Sequence, residues 1–560
     1  MKYTLTLVAL LAPQCVLGQG EGAARPARAA STSALTRTEI AAVDAIFRQA
    51  YPADAPGATV LIARGDDVLY RKAFGMADLE LRVPMRADNV LQLASITKQF
   101  TSVSILMLME QGKLALQDPL SKFIPDYPRG DEITLHHLLN HSSGVTSYTN
   151  LVTFRSKTRQ DLSPEEIVES VKHLPLEFTP GTQYAYSNSG YALLGMIIEK
   201  LSGVSYGEFV RKNIFDRLGM KHSYYASNFT VIPSRASGYQ LYEGNVENPE
   251  YMSPTVAYAA GALLSNVDDM LLWSRSLRRN TLVSESAKHL AFTNHRLSTG
   301  RLSNYGYGWA INELAGVPTL EHTGGINGYA TSGIYVPGRD VYAIVLTNRD
   351  DGRGPESYNL KAVSMLLGQS IVEKAAVALS EAQLRRWVGA YQFDDVVRFV
   401  TYDQGALYST REGGRPIRLL AVSDSQFRFE GSLATYGFSL KDGKRQVLYL
   451  ERISRSVGHE TDKKPAAERE AITLAPEILA RYVGVYELQP SFLIEVKSQN
   501  GVLIATATGS PPVELLAEAE DRFFIREIGA QVTFNLGSNG AVQSLTFLQG
   551  GNRTEGRKVR

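Results

Sequence analysis

The sequence predicts an α+β protein: an antiparallel sheet flanked by helices, carrying a mostly helical insertion and followed by two small antiparallel, barrel-like β units. Three observations predict it. Strand-like runs lie at both ends of the first part of the chain with helical stretches between them; after about Ser380 the texture changes to short alternating strands with frequent glycine; and this last part repeats itself.

Taken in order, Lys2 and the apolar run Leu5 to Ala12, extending less cleanly to Leu17, read as a secretory signal peptide over 1–18. The run falls short of the roughly 20 apolar residues that span a bilayer. Residues 19–37 are rich in Ala, Arg, Ser and Thr without apolar periodicity, as in a flexible lead-in. Ala41, Val43, Ile46 and Phe47 then form a helical stripe, and Ala58 to Ala63 and Val68 to Phe74 read as strands around Gly65, Asp66 and Asp67. A helix opens at Ser95 and stops at Gly112, and further helices run to about Leu290. Ser332 to Val336 and Val341 to Thr347 are strands joined by Pro337 and Gly338, and Leu360 to Lys374 reads as a helix.

The repeat is direct. Trp387, Gly389 and Tyr391 recur as Tyr482, Gly484 and Tyr486; Phe427, Phe438 and Leu440 recur as Phe523, Phe534 and Leu536; and Leu448 recurs as Leu545. The expected boundaries are 38–375 for the first region, 380–456 and 476–560 for the β units, and a charged linker over 457–475. The β units contain none of the motifs below, so the segment after Ser380 reads as separable.

Composition narrows the function. With 560 residues, 44% hydrophobic and 21% charged, the chain holds several domains, and a net charge of +1 provides no electrostatic case for nucleic acid. The single cysteine, Cys15, lies inside the leader, so cleavage after it removes disulfides, thiolate metal sites and a cysteine nucleophile together. A lipid-modified Cys15 is the rival reading, with a poor small-residue match before it.

Three short motifs carry chemistry. Ser95-Ile96-Thr97-Lys98 places a hydroxyl and an amine on one helical face, where a lysine of depressed pKa can activate serine. Tyr186-Ser187-Asn188 leads into the apolar helix Tyr191 to Leu201. A tyrosine beside a cationic lysine can be drawn toward phenolate and shuttle a proton, and an asparagine amide can bind a carbonyl. His322-Thr323-Gly324-Gly325 precedes a strand, and its glycines let a substrate backbone approach and a backbone N–H face an oxyanion. Singly, each reads better as a surface serine with a solvated lysine, a helix capped by Asn188, or a glycine turn with a structural histidine.

Together and in this order they resemble the serine β-lactamase and penicillin-binding-protein superfamily, in its class C-like branch of esterases and D-aminopeptidases. The resemblance spans roughly residues 38 to 375 and includes Leu138-Leu139-Asn140-His141-Ser142-Ser143-Gly144, Phe178-Thr179-Pro180-Gly181, and Gly261-Ala262-Leu263-Leu264-Ser265 before Asp268 and Asp269. It implies a serine hydrolase without metal or cofactor, acting on a small-molecule or peptide substrate; the leader pattern implies export to the periplasm or secretion, with no membrane span in the mature chain. Ser95 would attack the carbonyl, Lys98 and Tyr186 would move its proton, and Asn188 would orient the substrate amide. The N–H groups of Ser95 and Gly325 would form the oxyanion hole. His322 would line the pocket and bond Tyr186 or the substrate, and Tyr148 would line the substrate site.

The departure is His322, where dedicated class C β-lactamases carry lysine. A histidine is mostly neutral at pH 7 and lacks the fixed charge that attracts a penicillin carboxylate. Arg349, just past Thr347, is the next candidate for that anchor. An ester or amide, including a D-amino-acid-containing peptide, is the expected substrate. The alternatives are a β-lactamase or cell-wall D-Ala carboxypeptidase, and a slowly turning over penicillin-binding sensor whose β repeats bind a partner.

Overall fold

The computed structural model of the chain describes residues 34–559 except 152–153, 243, 315, 353, 369–375, 394–395, 412–415, 431, 433, 465–470, 490–491, 500, 508–511, 527–529, 538–539 and 550–551. The expected leader and most of the lead-in lie outside these residues; the helix expected over Leu360 to Lys374 instead runs Glu356–Leu366 and stops in a turn at Gly368. Every element below belongs to the unit Leu35–Arg560.

Helix α1 (Arg37–Ala50) opens on a capping box, the Thr36 hydroxyl accepting the Glu39 N–H while the Glu39 carboxylate accepts the Thr36 N–H. It buries Val43, Phe47 and Ala50, whereas Ala41 of the expected stripe is exposed. Spacings of four and three keep one face, and Ala41, two residues before Val43, falls off it.

Strands β1 (Ala58–Arg64) and β2 (Asp67–Phe74) form a hairpin. A 3-10 turn at Ala94–Ile96 runs into α2 (Thr97–Glu110), buried nearly all round. Helices α3 (Asn188–Ser202) and α4 (Pro254–Gly261) pack on α2 within the helical region. Short strands at Tyr239–Tyr242 and Asn245–Glu247 interrupt that region, which sequence pattern did not foresee.

Strands β3 (Ala310–Leu314), β4 (Val317–Ile326), β5 (Tyr329–Val336) and β6 (Val341–Thr347) complete a six-stranded antiparallel sheet of order β3-β4-β5-β6-β1-β2. Its alternate faces feed different cores. Leu320, Leu346 and Ile344 join the core around α2, while Ile334, Val345 and Val60 pack on α1 and α5 (Glu356–Leu366). Asn348, fully buried at the end of β6, accepts the Gly57 N–H at 2.6 Å and donates to the Ser237 and Met76 carbonyls at 2.7 and 3.1 Å. One amide thereby satisfies three separate segments.

The C-terminal region forms two closed antiparallel barrels of eight strands among the described residues, spanning Gly389 to Thr461 and Gly484 to Lys558. Each is preceded by a short helix, Glu381–Arg385 and Pro476–Tyr482. The repeat has a physical basis. Tyr391 donates to the Trp387 carbonyl at 2.7 Å and Tyr486 to the Tyr482 carbonyl at 2.8 Å, while Trp387 stacks on Phe438 and Tyr482 on Phe534.

Two details differ from the sequence reading. Leu448 is 37% exposed, and the counterpart of buried Leu545 is Val447: the registers Phe438↔Val447 and Phe534↔Leu545 match, so the repeat offset shifts by one residue. The last strand of the first barrel, Ser454–Thr461, runs into the segment expected as linker, its polar side chains masking the strand pattern. Among the described residues no helix is long and apolar enough to cross a membrane.

Candidate active site

Ala94, at a positive φ of 47°, makes the tight corner that turns the chain from the sheet edge into α2 and leaves Ser95 partly exposed at its mouth. One turn on, Lys98 is fully buried. Its Nζ stands 3.1 Å from Ser95 Oγ, 2.8 Å from Asn188 Oδ1 and 2.8 Å from the Ala260 carbonyl. None of these partners is a carboxylate. Burial therefore pushes the ammonium well below its usual pKa. When the amine is neutral, the Asn188 and Ala260 oxygens, which can only accept, take its two N–H groups and leave its lone pair for Ser95.

The Ala260 carbonyl is aimed by a kink. Tyr258 has φ 39° within α4, and the carbonyls that follow point at α2: Ala259 O accepts from Thr101 Oγ1 at 2.7 Å and Ala260 O from Lys98. Gly195 of α3 has no room for a side chain here, since a Cβ would lie 2.5 Å from that of Ala259.

The second motif enters from α3. Ser187, rather than Asn188, caps this helix, its Oγ accepting the Gly190 N–H at 3.2 Å, and Asn188 is the first helical residue. Both ends of the Asn188 amide are engaged, Oδ1 by Lys98 and Nδ2 by Thr149 Oγ1 at 3.0 Å. The Tyr186 ring lies 4.7 Å beneath Lys98 Nζ. Its hydroxyl is buried and completes no well-formed hydrogen bond among the described residues, although it lies near enough to Ser95 for that group to favour ionisation. Burial outweighs this and raises the phenol well above its ordinary range. The expected drift toward phenolate is thus corrected: burial of the Tyr186 hydroxyl favours its protonated form.

The third motif lies on β4. Pairing with β3 ends at Ala310↔Glu321, whereas pairing with β5 continues to Ile326↔Tyr329, so His322 to Ile326 form a strand with one edge free of β3. Gly324 packs against the corner of Ser95: a Cβ there would meet Thr331 Oγ1 at 2.4 Å and the Leu93 carbonyl at 2.5 Å. Gly325 and Thr323 are exposed, and Gly325 lines the cavity beside Ser95.

His322 corrects the expectation that it bonds Tyr186. It hydrogen-bonds Tyr305 Oη through Nε2 at 2.8 Å and the Thr323 carbonyl through Nδ1 at 2.5 Å, and its ring centre is 6.2 Å from that of Tyr186. A carbonyl can only accept, which assigns the hydrogen to Nδ1 and makes Nε2 the acceptor from Tyr305. Desolvation, reinforced by Lys98, brings His322 to about 3. Arg349 is corrected as well: it stacks on Tyr51, donates to the Ala50 carbonyl at 2.8 Å and pairs with Asp351 at 3.0 Å, so it is committed to structure.

A cavity of about 160 Å³ opens beside Ser95, with Tyr148, Phe154, Asn188, Met252, Val256 and Gly325 in its wall. Tyr148 is fixed there, its N–H donating to Ser189 Oγ and its hydroxyl to the Val256 carbonyl at 2.7 Å. The described residues lining this cavity carry no charged side chain. Sequence reasoning missed Tyr305, Thr149, the Ala260 carbonyl and the role of His141. The His141 ring sits among those of Tyr184, Tyr186, Tyr191 and Tyr305, and its Nδ1 accepts the Ser187 N–H at 3.1 Å. Asn304 to Trp309, an alternation of aromatic residues and glycine, was the available signal for Tyr305. Among the described residues no group of three or more His, Cys, Asp or Glu side chains is placed to hold a metal.

This fold and site define a serine hydrolase, and the chain belongs to the serine β-lactamase and penicillin-binding-protein superfamily. The Beta-lactamase family matches residues 43–364, and a domain of unknown function, DUF3471, matches residues 468–556. The chain is 30% identical over 418 residues to penicillin-binding protein 4* of Bacillus subtilis, covering 70% of this chain and 92% of that protein. Among solved structures, the octameric penicillin-binding protein homologue from Pyrococcus abyssi superposes with a TM-score of 0.55 at 27% identity, over 76% of this chain and 100% of that one. The D-stereospecific amidohydrolase from Streptomyces sp. gives 0.52 at 26% identity, over 59% of this chain and 99% of that one.

Proposed function

We propose that Ser95 is the nucleophile of an acyl-enzyme pathway and that the chain hydrolyses a neutral ester or amide with an apolar acyl group. The observation that carries this reading is the buried Lys98 amine, 3.1 Å from Ser95 Oγ and without a carboxylate partner. As Oγ bonds to the substrate carbonyl carbon, its proton passes to Lys98, and the oxyanion is received by the N–H groups of Ser95 and Gly325. Collapse breaks the bond to the alcohol or amine, which leaves with a proton delivered through Tyr186 and replaced from Lys98. Water then adds to the acyl carbon, gives up its proton along the same route, and the second collapse releases the acid and restores Ser95.

The wall of the cavity, uncharged among its described residues, with His322 neutral and Arg349 engaged elsewhere, supports a neutral substrate over one held by a carboxylate. Likeness to the Streptomyces D-stereospecific amidohydrolase supports a D-aminoacyl amide as the second reading. The leader pattern from Lys2 to Leu17 supports export, periplasmic or secreted.

A panel of p-nitrophenyl acyl esters, D- and L-phenylalanine amide and a penicillin, each with intact-mass detection of the acyl-enzyme, tests the reading. Turnover should favour apolar esters, with the adduct on Ser95 and its loss in Ser95→Ala. A preference for the penicillin, or an adduct persisting for hours with every substrate, would overturn it in favour of the β-lactamase or sensor alternative.

A further inference from the structure

In the first barrel, strands Lys444–Glu451 and Ser454–Thr461 are joined by the two-residue turn Arg452-Ile453. Such turns favour Gly or Asn at positive φ. Here Arg452 occupies φ 58°, a costly conformation for a long side chain, and points its guanidinium out of the barrel. The group is only 8% exposed and is filled with acceptors. Both terminal nitrogens pair with the Glu321 carboxylate, one also meets Glu356 at 3.1 Å and the other Thr319 Oγ1 at 3.3 Å, and Nε donates to the Glu313 carbonyl at 3.3 Å. Ile453 N–H adds a contact to Asn312 Oδ1 at 3.5 Å.

These partners belong to β3, β4 and the first turn of α5. Glu321 is the last residue of β4 paired to β3, immediately before His322 and the free edge that leads to Gly325. A buried ion pair contributes little net stability, because desolvation offsets its attraction. What a forked, multiply bonded arginine does supply is geometry. We propose that Arg452 is a positioning residue through which the first barrel sets the placement of the His322–Gly325 edge opposite Ser95. The β units are then a working part of the hydrolase rather than the separable segment their sequence suggests. The inference rests on the functional reading above.

The test uses the full chain with Arg452→Met, Arg452→Lys, the double variant Glu321→Gln/Arg452→Met, and Ser95→Ala as reference. Hydrolysis of p-nitrophenyl acetate and thermal unfolding are measured on each. Misplacing an oxyanion donor acts in the transition state, so Arg452→Met should lower kcat by about tenfold to a hundredfold with KM little changed. Arg452→Lys, which keeps the charge and loses the fork, should fall between. The double variant should recover part of the loss, because no unpaired carboxylate is left at position 321. A folded Arg452→Met with parental kcat, or a loss matching only a smaller folded fraction, would overturn the proposal. If Arg452→Met does not fold, parental kcat in Arg452→Lys would overturn it. Activity surviving in Ser95→Ala would instead overturn the nucleophile assignment, leaving the two failures distinguishable.

Discussion

Tyr305 and His322 lie 17 positions apart in the chain and meet across 2.8 Å, the phenol donating to a ring nitrogen with no other hydrogen-bond partner among the described residues. This bond keeps the histidine of the third motif in one tautomer and removes it from the role of a cation. It makes the histidine of the third motif a neutral brace.

Its first consequence is a pH dependence of stability. Burial lowers His322 from 6.5 to about 3, so between those values the unfolded chain binds a proton that the folded chain refuses. The stabilisation is fully present above about pH 6.5 and is lost as pH falls toward 3. At pH 5 the loss is about 2 kcal/mol, from 1.36 kcal/mol per pH unit. His322→Gln lacks this titration, so its stability relative to the parent should improve by about that amount between pH 7.5 and pH 5 in urea unfolding. A pH-independent difference would mean that His322 is not held neutral.

A second prediction concerns Lys98. Its pKa is depressed by burial alone, so below the unfolded value of 10.5 the unfolded chain gains a proton that the folded chain does not, and folding loses stability as pH falls through that range. Lys98→Met should therefore raise the unfolding temperature at pH 7 while lowering acylation by about 10³-fold. Retention of more than a tenth of the parental acylation rate would remove Lys98 as the base.

Two neighbouring glycines should behave oppositely. Gly324→Ala drives a Cβ into the Leu93 carbonyl and Thr331, so it should cost about 1–3 kcal/mol and disturb the corner that presents Ser95. Nothing lies within 4 Å of a Cβ at Gly325, and its expected contribution is a backbone N–H, so Gly325→Ala should stay close to the parent in both stability and kcat/KM. Equal losses in the two variants, read by thermal unfolding and ester hydrolysis, would place the oxyanion donor elsewhere.

Much of this architecture was legible because periodicity and local chemistry coincide. β1, β2, β5 and β6 follow runs of apolar residues, and the barrels follow the aromatic repeat. The proposed nucleophile and its lysine were legible because helical spacing alone brings them together. Tertiary partners were not. Tyr305 turns His322 away from its expected bond, and Tyr51, Ala50 and Asp351 absorb Arg349, through contacts that no local pattern encodes. Leu448 and Val447 exchange roles because one residue of register decides which side chain enters a barrel.

The bond from the Gly57 N–H to Asn348 joins residues 291 positions apart in the chain. A nascent polypeptide must therefore extend past Thr347 before its β1–β2 hairpin finds the strand it pairs with, and closing so long a loop is slow. Until then the apolar faces of β1 and β2 have no partner, which leaves them open to chaperones and to self-association. The same delay keeps Ser95 and β4 apart, so the chemistry proposed for Ser95 waits until β4 has emerged and paired, and a fragment that ends before Val317 lacks half of the site.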